Sequence, residues 1–220
     1  MEVDHIYICT DYKAPAGELL KEFGLTEGTS NTHPGQGTAN RRFFFHNFML
    51  ELLWIENLDE VKSVLTKPMR LFERCSKFDP NISPFGIGLR PIKEKNIKIT
   101  FPVWDYHPLY LPDFLKIQVA DSTPLSEPMF FYLSFVERQD KYPLEKKENM
   151  KHKLPLKEVT NIEVHINQKN EFSEAAKIIN NMDNLLLIKD NENYLKLTFD
   201  KGAYKKEKDF RPDLPLVINW

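Results

Sequence analysis

Apolar and polar residues alternate with period two along VDHIYICT (Val3 to Thr10), where β-branched and aromatic side chains mark a strand. The period then changes. In APAGELLKEFGL (Ala14 to Leu25), Leu19, Leu20 and Phe23 fall on one helical face and Gly24 offers a C-cap, so a helix is expected. RRFFFHN (Arg41 to Asn47) and FMLELLWIE (Phe48 to Glu56) read as strands meeting at a tight turn near Asn47, with a further strand near Gly28. The order is strand, helix, then three strands. The C-terminal segment repeats it: VTNIEVHINQ (Val159 to Gln168) is a strand, FSEAAKIINNM (Phe172 to Met182) a helix, and LLLIKDN, YLKLTFD and LPLVINW are three strands. Laying Val3 on Val159 also sets Leu50–Trp54 on Leu216–Trp220, which points to an internal repeat.

Between the two lies a helix candidate, KPMRLFERCSKF (Lys67 to Phe78), followed by strands at Pro84–Pro91, Leu115–Asp121 and Glu127–Phe135. FPVWDYHPLYLPD (Phe101 to Asp113) carries too many prolines for a central strand and is expected to be a long covering loop. The lysine- and glutamate-rich run Glu137 to Lys153 is the best linker candidate.

Charge narrows the partners. The formal net charge is −2, so no global field draws the chain to nucleic acid or to an anionic membrane surface. The apolar runs are short of a membrane span and the first residues lack a secretory pattern, so a reduced, cytoplasmic setting is expected. Cys9 and Cys75 are too few for a disulfide framework, lack metal-type spacing and read as structural.

Candidate chemistry gathers in HPGQGTANRR (His33 to Arg42). Its glycines fit neither the dinucleotide fingerprint nor a P-loop, and the segment runs into a strand instead of a helix N-terminus. Gly35 and Gly37 still allow backbone N–H groups close to a ligand, Asn40 offers donors and an acceptor, and an arginine offers a bidentate fork. Arg41 and Arg42 point to opposite faces of a strand, so at most one turns into a cleft. The competing reading is a glycine turn with polar residues in water. Phe43, Phe44 and Phe45 read as core. Trp104, Tyr106, His107 and Tyr110 suit either an aromatic lid over an apolar pocket or plain packing. Arg90 is an anion clamp or a structural ion pair. Glu127, just before a strand, is either a general base at the mouth of a cleft or a solvent-facing carboxylate.

DHIYICTD, HPGQGTANRR, LELLW and SPFGIGLRP together resemble the glyoxalase-like domains of the vicinal oxygen chelate (VOC) superfamily, over roughly residues 3–136. The resemblance implies an α+β fold of βαβββ modules whose curled mixed sheets enclose a cleft. It implies a glyoxalase-like domain at 1–136, with a first module at about 3–56 and a degenerate second at about 84–136. A linker at 137–157 and a C-terminal βαβββ module at 158–220 follow; pairing of the first module with the last is the alternative. Family metal ligands fall on the first and last strands of a module, which here carry His5 and Glu51, suited to Mn, Fe, Ni or Zn. The pattern departs elsewhere. Gly86 stands at the second module's histidine position, Tyr132 to Ser134 contain no carboxylate, and the last module has Asn161 and Val217. A third ligand would have to come from His33, His46 or His107.

Two functions follow. One is a metal-dependent isomerase, lyase or dioxygenase acting on a small oxygen-rich molecule. In it, His5 and Glu51 hold the ion, Glu51 or Glu127 moves the proton, and His33, Asn40, Arg41 or Arg42, Arg90, Trp104 and Tyr106 face the substrate. The other is a metal-free protein that binds or sequesters small molecules. A second copy of the chain is a candidate partner in either case.

Overall fold

The structure is a computed structural model that describes residues 1–76, 79–92 and 99–220. Strand β1 (Glu2–Cys9) leads to helix α1 (Gly17–Phe23), then β2 (Asn31–His33), β3 (Thr38–Phe44) and β4 (Met49–Ile55). The start of α1 is delayed past Ala14, whose φ is positive, and the helix stops at Gly24, whose φ of 114° lets its N–H reach the carbonyls of Leu20 and Lys21. Helix α2 (Leu58–Val61) follows, capped by the Asn57 side chain, and then α3 (Leu71–Cys75). The helix expected over Lys67–Phe78 is thus broken: a 3₁₀ turn at Lys67–Met69 ends at Arg70, where φ is 56°. Lys77 and Phe78 lie outside the described residues.

The middle region supplies β5 (Phe85–Arg90), β6 (Val103–Tyr106), β7 (Ile117–Ala120) and β8 (Met129–Tyr132). All eight strands form one sheet in the order β2-β3-β4-β1-β5-β8-β7-β6. β1 runs parallel to β4 on one side and antiparallel to β5 on the other. β5 in turn runs parallel to β8, so the two halves have matching orders and meet at β1 and β5. Within the stretch expected to be a covering loop, Val103–Tyr106 does form a strand, at the sheet edge; Pro102 and Pro108 lie outside it, so its backbone N–H groups are all present.

The C-terminal part contains β9 (Val159–Asn167), α4 (Glu174–Ile179), β10 (Leu185–Asp190), β11 (Tyr194–Phe199), β12 (Glu207–Asp209) and β13 (Leu216–Asn219). The element order echoes the first module, but the connections differ. β4 returns beside β1, whereas the crossover through α4 puts β10 beside β9 and the next connection passes β9 to put β11 on its other side. With both flanks of β9 taken, β13 pairs with β11. Alternation along β1 sends Ile6 and Ile8 outward, into a core shared with Leu20 of α1 and with Ile162, Val164 and Leu195 of the second sheet. The five-stranded sheet therefore backs the outer face of the large one. Residues 137–157 form a strap along the first module: Thr26 N–H donates to His152 Nδ1 at 2.9 Å, Lys153 N–H to the Gly24 carbonyl at 2.9 Å, and Thr29 bonds Glu148.

Cys9 and Cys75 form a disulfide with Cα atoms 4.9 Å apart, a structural role for both cysteines but one that departs from the reduced setting expected from the sequence. The bond ties the end of β1 to α3. At a sequence separation of 66, only the fold brings the two together. Among the described residues no helix is long and apolar enough to cross a membrane.

Candidate functional site

The inner face of the eight-stranded sheet walls a cavity of about 360 Å³, within the size range of small-molecule sites. Its polar end is built by alternation. His5 and Tyr7 on β1, Glu51 on β4, and Asn40 and Arg42 on β3 all face inward. A register shift between Val3 and His5 brings Asp4 to the wall as well, beside the histidine. On β5 the inner positions are Gly86 and Gly88, and this is why the second half lacks a histidine there. A Cβ on Gly86 would come within 2.0 Å of the Tyr7 ring, and one on Gly88 within 2.7 Å of the His5 ring. The glycines let both rings lie across the neighbouring strand.

A chain of buried polar contacts orients the histidine. Arg90 donates to Glu2, to Asp4 Oδ1 and to the Asn47 carbonyl, each at 2.8 Å. Asp4 Oδ2 accepts from His5 Nδ1 at 2.8 Å, which leaves Nε2 facing the cavity, 3.7 Å from Glu51 Oε2. Glu51 Oε1 accepts from Asn40 Nδ2 at 2.6 Å. Burial disfavours the imidazolium, but the bond to Asp4 and the charges of Asp4 and Glu51 outweigh it and hold the His5 pKa above the ordinary histidine value. Burial likewise opposes the Asp4 carboxylate, yet His5 and Arg90 keep its pKa below the usual range. His33, whose Nδ1 is 2.9 Å from the Thr38 hydroxyl, is pushed the other way by burial and stays neutral more readily. The arrangement is a carboxylate–imidazole dyad with a second carboxylate across the cavity, a geometry suited to moving a proton at Nε2.

The remaining expected residues fall in distinct places. Arg42 lines the cavity, holding the Thr29 carbonyl at 2.7 Å and the Thr29 hydroxyl at 2.8 Å. Arg41 points outward and is bound to Glu27 at 2.7 and 2.5 Å and to Glu18 at 2.7 Å. Glu51 makes no close ion pair with either arginine. Gly35 and Gly37 have φ of 79° and 78° and serve the β2–β3 turn; a Cβ on Gly37 would lie 2.4 Å from the Asn57 carbonyl oxygen, so its role is packing against α2. Tyr106 lines the cavity. Trp104 stands behind it, edge-on at 6.0 Å, and does not. Arg90 is wholly buried among its three partners and has no free face for a ligand. Glu127 is not at a cleft mouth: it is fully buried and accepts from the Ser173 backbone N–H at 2.7 Å and hydroxyl at 2.5 Å, pinning the start of α4. His107 is exposed.

Several wall residues carry little sequence signal. Asp4 reads as one polar residue in a strand, and Tyr7 as one aromatic among apolar neighbours. Tyr142, Lys146 and Glu148 of the strap form the rim; their charged context resembles a solvated linker. Tyr110, from the loop after β6, reaches across to donate to Gln36 Oε1 at 3.1 Å.

His5 Nε2 and Glu51 Oε2 are spaced for one ion, and Asp4 behind Nδ1 is the usual support for a ligating imidazole. The set stops at two. Among the described residues the one group of three metal-type side chains is His46, Asp140 and Glu158, elsewhere. There Arg138 already donates to both carboxylates, at 3.0 and 2.9 Å to Asp140 and 2.7 Å to Glu158. A tightly held ion takes three or four protein ligands, so the cavity residues do not fit a resident metal centre.

No family model and no curated protein matches the sequence. Solved structures do align. A crystal structure of a hypothetical protein from Staphylococcus aureus superposes over 99% of this chain and 98% of its own, with a TM-score of 0.52 at 10% identity. A methylmalonyl-CoA epimerase in complex with methylmalonyl-CoA and NH4+ covers 62% of this chain and 96% of its own, with a TM-score of 0.39 at 16% identity, too loose to carry an argument. Two matching four-strand halves joined at their first strands form the curled mixed sheet of an α+β fold, the paired-module arrangement that the sequence resemblance implies.

Proposed function

We propose that this chain binds a small oxygen-rich molecule in the cavity of the eight-stranded sheet and moves a proton on it through His5. The observation that carries the reading is the Asp4–His5–Glu51 chain, buried at the polar end of a cavity large enough for a ligand. Asp4 fixes the imidazole, His5 Nε2 gives or takes the proton, and Glu51, steadied by Asn40, favours the charged form. Arg42 and His33 orient the substrate oxygens from the neighbouring strands. The test is proton exchange in D2O, followed by NMR, across a panel of 2-hydroxyketones and 2-oxoacids. Wild type exchanges the C–H next to the carbonyl of at least one compound, and His5→Gln loses that exchange while still binding the compound. Exchange unchanged in His5→Gln overturns the assignment.

The second reading is a binding or sequestration protein without chemistry, favoured by the apolar far wall of the cavity. Binding without exchange for every ligand would establish it. A metal-dependent reaction would show itself as near-stoichiometric Mn, Fe, Ni or Zn in untagged protein purified without chelator. Loss of that metal in both His5→Ala and Glu51→Ala would replace the metal-free reading.

A further inference from the structure

The carboxylates of the cavity wall all have bonded partners, and Arg42 is not among them. Asp4 is held by Arg90 and His5, Glu51 by Asn40, and Glu148 by the Thr29 hydroxyl and by the Thr29 N–H at 3.2 Å. Arg42 Nε and Nη2 donate instead to the Thr29 carbonyl and hydroxyl, while Glu148 Oε1 comes no closer than 3.9 Å to Nη2. Nη1 has no partner among the described residues and keeps accessible surface, in contrast to the sealed, unpartnered Nε of Arg74. Thr29 thus fixes the plane of the guanidinium and leaves its outer edge, Nη1 with the second N–H of Nη2, for a bidentate partner. On the rim, Lys146 forms no ion pair among the described residues.

Three observations set this guanidinium at the polar end of the cavity. Arg42 lines the wall and stands opposite Glu51 in the β3–β4 register. Its Cζ lies 5.1 Å from the centre of the Phe44 ring, another wall residue. Its charge also reaches His5 and His33, lowering the pKa of each. Burial pushes the pKa of Arg42 itself down, and the charges of Glu51 and Glu148 offset only part of that. The cation is partly desolvated without a bonded counter-ion, the condition in which an arriving carboxylate gains most. Glu148 borders the same place from the strap, where its like charge opposes that carboxylate.

We infer that Arg42 is the specificity-determining residue of the cavity: it takes the ionised carboxylate of a small 2-oxoacid, and Glu148 of the strap tempers the affinity. The inference rests on the cavity being a ligand site, as proposed above. It narrows the compounds that fit to acids, held on β3 with the carbonyl carried toward Glu51 on β4 and His5 on β1.

Equilibrium dialysis at pH 7 and low salt tests it with pyruvate, 2-oxoisocaproate and benzoylformate, each beside its methyl ester. At least one acid binds wild type about tenfold or more tightly than its ester. Arg42→Gln loses most of that preference and binds the ester as wild type does, which shows an intact cavity. Glu148→Gln, whose amide oxygen still accepts from Thr29, binds the acid roughly threefold more tightly and the ester unchanged. Esters bound by wild type as tightly as their acids, or an acid preference undiminished in Arg42→Gln, overturn the carboxylate site and leave the cavity reading intact. Should Arg42→Gln lose acid and ester alike, Glu148→Gln decides: tighter acid binding upholds the site and unchanged binding overturns it. Failure of wild type to bind any acid or ester counts against the cavity as a ligand site, and the inference falls with it.

Discussion

Replacing Arg90 by Met tests the chain of contacts behind His5 most directly. The guanidinium is 1% exposed and makes three hydrogen bonds of 2.8 Å, to Glu2, Asp4 and the Asn47 carbonyl. Methionine keeps much of the apolar stem but removes the charge, which strands the Asp4 carboxylate, itself 3% exposed, with His5 alone. Breaking one partner of a buried pair costs about 3–5 kcal/mol, because the remaining charge stays desolvated. For a chain of this size that corresponds to a fall in Tm of roughly 6–20 °C. Thermal melting followed by circular dichroism at pH 7 gives the number directly. The decisive comparison is a double-mutant cycle with Asp4→Asn. The amide carries no charge to strand, so the double variant should lose at least about 1 kcal/mol less than the sum of the single losses. A melt of Arg90→Met within 2 °C of wild type, or strict additivity in the cycle, would refute the reasoning. A second readout follows from the sign of the Asp4 shift. Its carboxyl is held low in the folded state, so its contribution is present above the ordinary Asp range and fades as pH falls through the depressed value. Without Arg90 that loss should begin at a higher pH.

Three further outcomes are expected. Gly86→Ala puts a Cβ within 2.0 Å of the Tyr7 ring, so the ring must tilt into the cavity; the cost is about 1–3 kcal/mol, read from denaturant midpoints, and an unchanged midpoint would show that Tyr7 is not held there. The His5 pKa is raised on folding from an ordinary 6.5, so its contribution is complete below that value and is lost as pH rises through the folded-state pKa. Wild type should therefore lose stability on the alkaline side of pH 6.5 where His5→Gln does not, and parallel pH–stability curves for the two would contradict the network. Glu127→Ala leaves the Ser173 N–H and hydroxyl without their acceptor; it should destabilise by about 1–3 kcal/mol and leave ligand binding unchanged, and a binding defect in a folded variant would return Glu127 to the site.

Much of the fold is written in local patterns. Period-two alternation marks β1 and β9, the Leu19–Leu20–Phe23 face and Gly24 mark α1, and Phe43 and Phe45 pack as core, whereas Phe44, also expected there, lines the cavity. Those features depend on neighbouring residues and on which side chains avoid water, so a single chain of letters suffices. Alternation also requires that Arg41 and Arg42 part company, but only the strand's neighbours decide which turns inward. Arg42 stands opposite Glu51 on the inner face, while Arg41 meets Glu18 and Glu27 on the outer one.

The tertiary structure decides everything that depends on distant segments meeting. The breadth of the large sheet comes from β1 pairing with β5, which joins the two halves around the cavity. Asp4 becomes the partner of His5 through a register shift, Glu127 is drawn away by Ser173, and Cys9 meets Cys75 across a sequence separation of 66. Such contacts follow from packing over the whole chain, and their energies are collective, so no local window of residues carries them. Local residue order determines which side chains are able to do chemistry; the curl and pairing of the sheet decide which of them share a cavity.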